Sequence, residues 1–307
     1  MAEEVKISVI TPTYNRAHIL KRAIESVLVQ NDPNIEYIIV DDCSTDNTES
    51  LIEKYHNENI IYIKLDVNIG NAGARNVGVK VAHGQYIAFL DSDDEFEINA
   101  LKIFRNTLRS NPHLDYAFGT FKVLEEKTNT VKIHKWIPNS EVSFLEDLRI
   151  GTGCGLFVNK KCFDIVGFFD ENLRVAVDTD WLIRLDRKYR YTLIDDNIII
   201  VHAHEGERVR KDKSELLKSY KIIYKKNKEI IDSKQKLRKR FYYKIQWLNY
   251  HQKNNKEGNK FCFNLIIKGD FLKKSILSFF IFNIFSTSFA KELHYKMSKN
   301  VFKKNRI

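Results

Sequence analysis

The chain reads Tyr86-Ile87-Ala88-Phe89-Leu90-Asp91-Ser92-Asp93-Asp94, an apolar strand that runs directly into three carboxylates. Like charges this close repel, and each carboxyl group resists ionising unless a cation or several hydrogen-bond donors compensate it. A divalent metal is the simplest compensation, because Mg²⁺ and Mn²⁺ take oxygen ligands and leave coordination positions open for phosphate. The alternative is a surface turn in which Asp and Ser cap a helix.

Apolar strands alternate with helical patterns on the N-terminal side of this loop. The strands cover 6–11, 37–40, 60–65 and 85–90. Between them apolar residues recur at the three- and four-residue spacing of helices. This alternation predicts a mostly parallel central sheet with helices on both faces. Ligands of such sheets bind beyond the carboxyl ends of the strands, where this chain places its polar clusters.

The pattern after Asp94 is less regular. It predicts helices at 98–109 and 178–188, and strands at 116–125, 130–135, 156–158 and 191–203. From Lys213 onward the chain reads as Lys-rich amphipathic helices.

Composition indicates a globular chain, with 307 residues, 43% of them hydrophobic and 29% charged. That length accommodates a large α/β domain with an appendage, or two domains. The four cysteines lack metal-site spacing and predict reduced thiols. The polar start, Met1 to Lys6, predicts no secretory signal and therefore a cytoplasmic protein.

Charge is distributed unevenly along the chain. Residues 205–307 hold 27 Lys and Arg against 9 Asp and Glu, a net +18, whereas residues 1–204 carry a net −8. This asymmetry predicts two functional regions, the second attracted to an anionic surface. A solvated face of packed helices is the alternative. Nucleic-acid binding is less favoured, because no recognised module accompanies the charge.

Four ordered motifs resemble the family 2 glycosyltransferases of the GT-A fold, which transfer sugars from nucleotide-sugar donors with inversion. They cover residues 7–15, 39–46, 71–76 and 89–94. Their order and spacing match the family across about residues 6–205, and four ordered motifs are far more specific than one. The resemblance implies a GT-A α/β sheet with a C-terminal α-helical extension.

The resemblance assigns the nucleotide pocket to the first two loops. Thr11, Pro12 and Tyr14 would line it, with the tyrosine ring against the base; core packing is the alternative for Tyr14. Asp42 would accept a hydrogen bond from a uracil ring nitrogen, which favours a UDP-linked donor. Its alternative role is a cap for the helix after Ser44.

The third motif would shape the loop beside the nucleotide. Asn68 and Gly73 would form it, the glycine allowing close backbone approach. Arg75 would offer its planar fork to base or phosphate, although an exposed arginine at a helix start is otherwise unremarkable.

The Asp-Ser-Asp group resembles the family's DXD motif. Asp93 would ligate Mn²⁺ or Mg²⁺, Asp91 would face the ribose or the metal shell, and Ser92 would join the donor site. Asp94 would orient the loop.

By the same resemblance a C-terminal histidine reaches the metal or the diphosphate, and His204 lies nearest that register. His202 lies on the same strand face, and Arg208 would hold phosphate oxygens.

An inverting transfer needs a base beside the acceptor hydroxyl. Residues 174–185 resemble the family's acidic-pair segment, where Glu-Asp usually opens a helix, but Val177 replaces the first acid. Asp178 therefore becomes the candidate general base. Asp180 is the alternative, or a structural acid paired with Arg184 at helical spacing.

These expectations divide the chain at residue 209. Residues 1–209 would form the catalytic domain, with 1–97 binding the nucleotide-sugar and 98–209 the acceptor. Residues 210–307 would form a basic helical region. The apolar run 275–285 is too short to span a bilayer but could lie in the interface of an anionic membrane.

The leading hypothesis is therefore a metal-dependent inverting glycosyltransferase at the cytoplasmic face of the membrane. It would add a sugar from a UDP-sugar donor to a glycan, as in capsule, O-antigen or exopolysaccharide biosynthesis on a lipid-linked oligosaccharide. The alternatives are a nucleotidyltransferase, which should show a glycine-rich phosphate loop, and a binding relative that lost catalysis, which Val177 favours. An oxidoreductase is weaker, because no G-x-G-x-x-G follows the first strand.

Overall fold

The computed structural model describes residues 5–55, 59–134, 155–185, 190–203, 212–270, 273–284, 290 and 292. The chain divides into two compact units. The sheet unit comprises Met1–Leu173 and Val177–Gly206, and the helical unit comprises Arg174–Ala176 and Glu207–Ile307. The expected division of the first domain into donor and acceptor halves stays a prediction.

The sheet unit contains the predicted alternation of strands and helices, together with a short strand, Glu95–Phe96, that the sequence did not indicate. In chain order they are β1 (Ile7–Thr13), α1 (Ala17–Leu28), β2 (Ile35–Asp41), α2 (Thr48–Ile52), β3 (Ile60–Lys64), α3 (Gly70–Val81), β4 (Tyr86–Phe89), β5 (Glu95–Phe96), α4 (Ala100–Ser110), β6 (Tyr116–Glu125), β7 (Thr130–His134), β8 (Leu156–Asn159), α5 (Lys161–Val166), α6 (Val177–Leu185) and β9 (Tyr191–Ala203).

The strands form one sheet in the order β3-β2-β1-β4-β8-β6-β9-β5, with β7 paired to β6. The pairs among β3, β2, β1 and β4 are parallel. Beyond β4 the sheet is mixed: β8 pairs antiparallel with both β4 and β6, whereas β6 and β9 are parallel. The prediction of a parallel sheet thus holds for the N-terminal half, and the C-terminal half departs from it because β8 inserts in the opposite direction.

Helices cover both faces of this sheet. Ile7 and Val9 of β1 belong to a buried cluster with Leu20 and Ile24 of α1. Side chains alternate along a strand, so Ile10 faces the other side. There α3 packs so closely that a Cβ on Gly78 would lie 2.5 Å from Ile10 Cγ2. The predicted α/β class is confirmed.

The helical unit consists of α7 (Lys213–Lys226), α8 (Lys228–Ser233), α9 (Gln235–His251), α10 (Asn255–Ile267) and α11 (Lys273–Ile284). Its core joins buried side chains of α7, α9 and α10: Leu217, Tyr242, Ile245, Leu248, Phe261 and Leu265. The predicted run of basic helices is therefore present. Among the described residues, no helix combines the length and apolarity needed to cross a bilayer.

Candidate active site

Polar loops gather at one edge of the sheet. Strands β1, β2 and β4 are parallel neighbours, so their carboxyl ends lie side by side. The loops that follow them carry the motifs at 11–16, 41–46 and 91–94. This edge is where ligands bind in open α/β sheets.

The loop after β4 brings three carboxylates together. One oxygen from each of Asp91, Asp93 and Asp94 lies within 4.8 Å of the others. Two arginines face this cluster: Arg75 Nη2 lies 2.5 Å from Asp91 Oδ1, and Arg16 Nη1 lies 2.9 Å from Asp93 Oδ2. The compensation predicted for these charges is therefore partly supplied by protein cations, one of which, Arg16, the sequence did not indicate.

The electrostatics of Asp91 reflect this crowding. Loss of surrounding water raises the pKa of its carboxyl group, and the nearby carboxylates of Asp93 and Asp178 raise it further. Arg75 acts in the opposite direction but does not reverse the shift. Asp91 therefore gains little from the fold when it ionises, and an added cation would stabilise its charged form.

The donor set fits a hard divalent cation. Carboxylate oxygens are ligands that Mg²⁺ and Mn²⁺ prefer, and Asp91 and Asp93 both retain partial exposure. A second feature points to an anion at the same place. Among the described residues, the buried Nε of Arg75 has no hydrogen-bond acceptor. A group with free oxygen atoms, such as a phosphate, would satisfy it.

Asp94 anchors the acidic loop to the far side of the sheet. Its Oδ1 accepts a hydrogen bond at 3.0 Å from the backbone N–H of His202 on β9. This contact fits the loop-orienting role expected of Asp94.

His202, which was expected on the same strand face as His204, lies between two glutamates. Its Nε2 lies 2.8 Å from Glu95 Oε1 and its Nδ1 lies 3.2 Å from Glu126 Oε1, so its ring is held between two glutamates. Glu95 belongs to β5 and Glu126 directly follows β6, so neighbouring strands of the sheet supply these partners. His204 and Arg208, also expected at the site, lie outside the described residues.

The first loop presents one accessible aromatic ring. Tyr14 is about half exposed at 47%, which leaves its ring available to stack on a base. Thr11 and Pro12 are buried, and the Thr11 hydroxyl accepts a hydrogen bond from Tyr37 at 3.1 Å. Both residues belong to β1, and the expectation that they line the nucleotide pocket stays a prediction.

Asp42 caps a helix, although not the expected one. Its two oxygens accept the backbone N–H groups of Ile69 at 2.7 Å and Gly70 at 2.8 Å, at the start of α3. Asn68 Nδ2 donates to the Asp42 carbonyl at 3.1 Å. Burial raises the pKa of Asp42, and these N–H groups oppose the shift. The alternative role of Asp42 as a cap for the helix after Ser44 is therefore wrong, and its expected contact with a uracil ring stays a prediction.

Gly73 makes its close contact within the protein. A Cβ at this position would lie 2.7 Å from Cγ1 of Ile69. This contact packs α3 against its own first turn, and the close approach expected between Gly73 and the nucleotide stays a prediction. Because the neighbouring atoms belong to a flexible, partly exposed side chain, the constraint is mild.

The first turn of α6 carries both base candidates, in unlike surroundings. Asp178 is partly exposed, and its Oδ1 accepts the Thr179 N–H at 2.7 Å. Asp180 is fully buried, and its Oδ2 lies 3.1 Å from Arg184 Nε. The predicted Asp180–Arg184 pair is confirmed. The geometry therefore favours a structural role for Asp180, while Asp178 remains open to solvent near Asp91.

An aromatic cluster sets the position of α6. Trp181 stacks on Phe163 with ring centroids 4.6 Å apart and donates from Nε1 to the Gly167 carbonyl at 2.8 Å. Phe163 and Phe169 in turn pack edge-on against Phe89, the last residue of β4. Packing across the sheet thus places the start of α6 beside the acidic loop.

Asn76, the last residue of the third motif, binds the segment that precedes α6. Its side chain exchanges two hydrogen bonds of 3.0 Å with the backbone of Phe169 and donates to Glu171 at 2.8 Å. The sequence shows only that an Asn lies within a helical pattern. Its partners lie more than 90 residues further along the chain, so local periodicity could not predict them.

The chain matches a known protein family and a solved structure. The Glycosyl transferase family 2 model matches residues 8–186. The crystal structure of S. aureus TarS 1-349 in complex with UDP-GlcNAc has a TM-score of 0.69 at 19% identity, covering 96% of this chain and 92% of that one. The expected GT-A fold is confirmed by this likeness.

Two relatives from Escherichia coli are similar in sequence. WcaA of strain K12, provisionally named as a colanic acid biosynthesis glycosyl transferase, is 28% identical over 81% of this chain and 88% of its own length. WfgD, named UDP-Glc:alpha-D-GlcNAc-diphosphoundecaprenol beta-1,3-glucosyltransferase, is 31% identical over 50% of this chain. That match spans 59% of WfgD.

Proposed function

The chain belongs to glycosyl transferase family 2, and from this premise we propose that it moves one sugar, with inversion, from a UDP-sugar to a lipid-linked glycan. The product would be an intermediate of a surface polysaccharide such as a capsule, O-antigen or exopolysaccharide. The observation that carries the proposal is the cluster of Asp91, Asp93 and Asp94 beside Asp178 at the carboxyl edge of the sheet.

The choice of donor is supported by relatives and by two side chains. WfgD is named for UDP-Glc, and the TarS structure contains UDP-GlcNAc. The exposed ring of Tyr14 is available to stack on a base, and the unsatisfied Nε of Arg75 is available to a phosphate oxygen.

A divalent metal, Mn²⁺ or Mg²⁺, would be held by Asp93 and Asp91, with His204 as an expected further ligand. When bound, it supplies positive charge that stabilises the departing diphosphate. Arg16 contacts Asp93 and Arg75 contacts Asp91, so a metal held by these carboxylates would compete with the arginines for their charge.

Asp178 would act as the general base. It would accept the proton of the acceptor hydroxyl while that oxygen attacks the anomeric carbon and the bond to the diphosphate breaks on the opposite face. Its partial exposure leaves room for an acceptor, which the buried Asp180 lacks. Val177, buried in the core, cannot supply the contacts of the acid that the family usually has there.

The acceptor explains the charge of the C-terminal region. A lipid-linked acceptor lies at a membrane, and the net +18 of residues 205–307 would attract the chain to an anionic bilayer. Because anionic lipids are concentrated in the cytoplasmic leaflet, we propose that the protein lies at the cytoplasmic face of the membrane.

A thermal-shift panel tests the donor site. UDP-, GDP- and dTDP-sugars would be added with and without Mn²⁺, because a ligand of the folded state raises its apparent stability. We expect the largest shift from a UDP-sugar with Mn²⁺. Asp93→Asn should abolish the metal-dependent part of the shift, whereas Asp164→Asn on α5, outside the site, should retain it.

Turnover separates an enzyme from a binding relative. The UDP-sugar that gives the largest shift would be incubated with diphosphoundecaprenol-linked glycans, and UDP release would be measured. Release that depends on the acceptor supports the proposal. Failure of every nucleotide-sugar to stabilise the chain would overturn it, and binding without turnover would favour the inactive relative.

A further inference from the structure

Helix α11 buries Ile281 and Phe282, at 3% and 4% exposure, and yet exposes other large apolar side chains. Ser275 and Ser278 are buried, at 1% and 0% exposure, whereas Phe280 and Ile284 are 52% and 66% exposed. The buried face is satisfied by hydrogen bonds, since Ser275 Oγ donates to Gln246 Oε1 and Gln246 Nε2 donates back to the Ser275 carbonyl. The exposed side of α11 therefore carries large apolar side chains where a surface helix of a globular protein usually carries polar ones.

Helix α10 extends the same apolar surface. Phe263, Ile266 and Ile267 are exposed on it, Ile267 at 80%. The Phe263 and Phe279 rings contact each other edge-on at 5.5 Å, so the two helices present a continuous patch. We call it the α10–α11 face, comprising Phe263, Ile266, Ile267, Phe279, Phe280 and Ile284. Clustered exposed apolar side chains of this kind indicate an interaction surface.

Lysines accompany this face. Lys260 and Lys256 are exposed on α10 and precede Phe263 by about one and two helical turns, respectively. They therefore lie on the same side of the helix as Phe263. Lys273 is exposed at the start of α11. Within α10 and α11 the sequence holds a single acidic residue, Glu257. The face is therefore apolar with a cationic border.

We propose that the α10–α11 face docks on the surface of an anionic lipid bilayer. Its aromatic and aliphatic side chains would enter the boundary between headgroups and acyl chains, and its lysines would contact the anionic headgroups. A second copy of the chain fits less well, because pairing two such faces would bring their lysine borders together. This inference deepens the proposed function, on which it rests for the lipid-linked acceptor.

Vesicle sedimentation of the full chain tests the proposal. Vesicles of phosphatidylcholine alone would be compared with vesicles containing about 30 mol% phosphatidylglycerol, at low and high salt. We expect binding to the anionic vesicles that weakens with salt. The triple variant Phe263→Ser, Ile267→Ser and Phe280→Ser should bind about 10- to 100-fold more weakly, because it loses the apolar contribution to binding.

A matched variant controls for exposed apolar residues in general. Ile165→Ser, on α5 of the sheet unit, removes a side chain that is exposed to a similar extent and should leave vesicle binding unchanged. Lys256→Gln, Lys260→Gln and Lys273→Gln together should weaken the salt dependence, because they remove three of the positive charges at this face. Unfolding midpoints of all variants should match the parent, since every substituted side chain is solvent-exposed.

Three results would overturn the proposal: absence of binding to anionic vesicles, equal binding by the triple variant, or a dimer of the parent that the triple variant loses. The nucleotide-sugar thermal shift separates this failure from that of the proposed function. A shift without vesicle binding contradicts only the docking face, and vesicle binding without a shift contradicts only the transferase.

Discussion

Glu36 on β2 and Asp91 after β4 are two shielded carboxylates of the same sheet, held in opposite ways. Burial alone would raise the pKa of Glu36, but hydrogen bonds from Ser8 Oγ and the His83 N–H, together with the Lys6 ammonium, lower it to about 2. Around Asp91 burial prevails and the pKa is raised, even with Arg75 in contact.

The difference lies in what surrounds each group. Glu36 collects donors from β1 and from the turn before β4, including the Gly84 N–H at 3.1 Å, so the fold itself stabilises its charge. Asp91 shares its loop with further carboxylates, so the fold leaves its charge in need of an added cation. Strongly perturbed groups of the second kind are typical of functional sites.

The largest expected effect separates the two carboxylates of α6. Asp178→Asn should reduce turnover by about 10²- to 10⁴-fold, as loss of a general base does, with an unchanged unfolding midpoint. Asp180→Asn should instead lower the free energy of unfolding by about 3 kcal/mol, because it leaves Arg184 without its buried partner. Acceptor-dependent UDP release and urea unfolding measure the two. The reverse pattern would assign the base to Asp180.

The next effect tests whether Glu36 is purely structural. Glu36→Gln should lower the free energy of unfolding by about 3 kcal/mol at neutral pH, the equivalent of its pKa shift from 4.5 to about 2. The remaining folded enzyme should keep its turnover number. Glu25→Gln, which removes an exposed carboxylate of α1, is the control and should change stability by less than about 0.5 kcal/mol.

The pH dependence sharpens the same comparison. Since the folded-state pKa of Glu36 lies below its unfolded value, its contribution is complete above about pH 4.5 and is lost as pH falls toward 2. The stability difference between the parent and Glu36→Gln should therefore fall by about half near pH 3. Urea titrations at several pH values measure it, and a constant difference would contradict the assignment.

The smallest effect concerns the cations at the acidic loop. If Arg16 competes with a metal for Asp93, Arg16→Gln should raise Mn²⁺ affinity about 2- to 5-fold in the absence of nucleotide-sugar, as loss of a partly exposed ion pair allows. Calorimetric titration measures it. Arg22→Gln is the matched control, because Arg22 pairs with Glu126 instead. A weaker affinity of Arg16→Gln for Mn²⁺ would show that Arg16 supports the metal site.

Several features of the fold and of the site could be predicted from the sequence. The alternation of apolar strands and helices through Asp94 predicted the parallel half of the sheet, and the spacing of Asp180 and Arg184 predicted their pair. The short strand β5 and the insertion of β8 between β4 and β6 were not predicted. Both depend on pairings between distant segments, for which local periodicity carries no signal.

The roles of single residues show the same limit. A cap for the helix after Ser44 was the alternative role expected of Asp42, and Asp42 caps α3 instead because the loop at Asn68 folds back onto it. His202 was expected only on the same strand face as His204, and the contacts of its ring with Glu95 on β5 and Glu126 just after β6 were not predicted.

The sequence by itself determined the α/β alternation and the acidic loop after β4, because strand and helix periodicities and the residues at strand ends are local properties. It also determined the basic character of the C-terminal helices. Only the tertiary structure decided which cations face Asp91 and Asp93, which acid of α6 is buried, and which side of α11 meets the solvent. Those outcomes depend on contacts between segments far apart in the chain, which form only when the sheet and the helical core are packed.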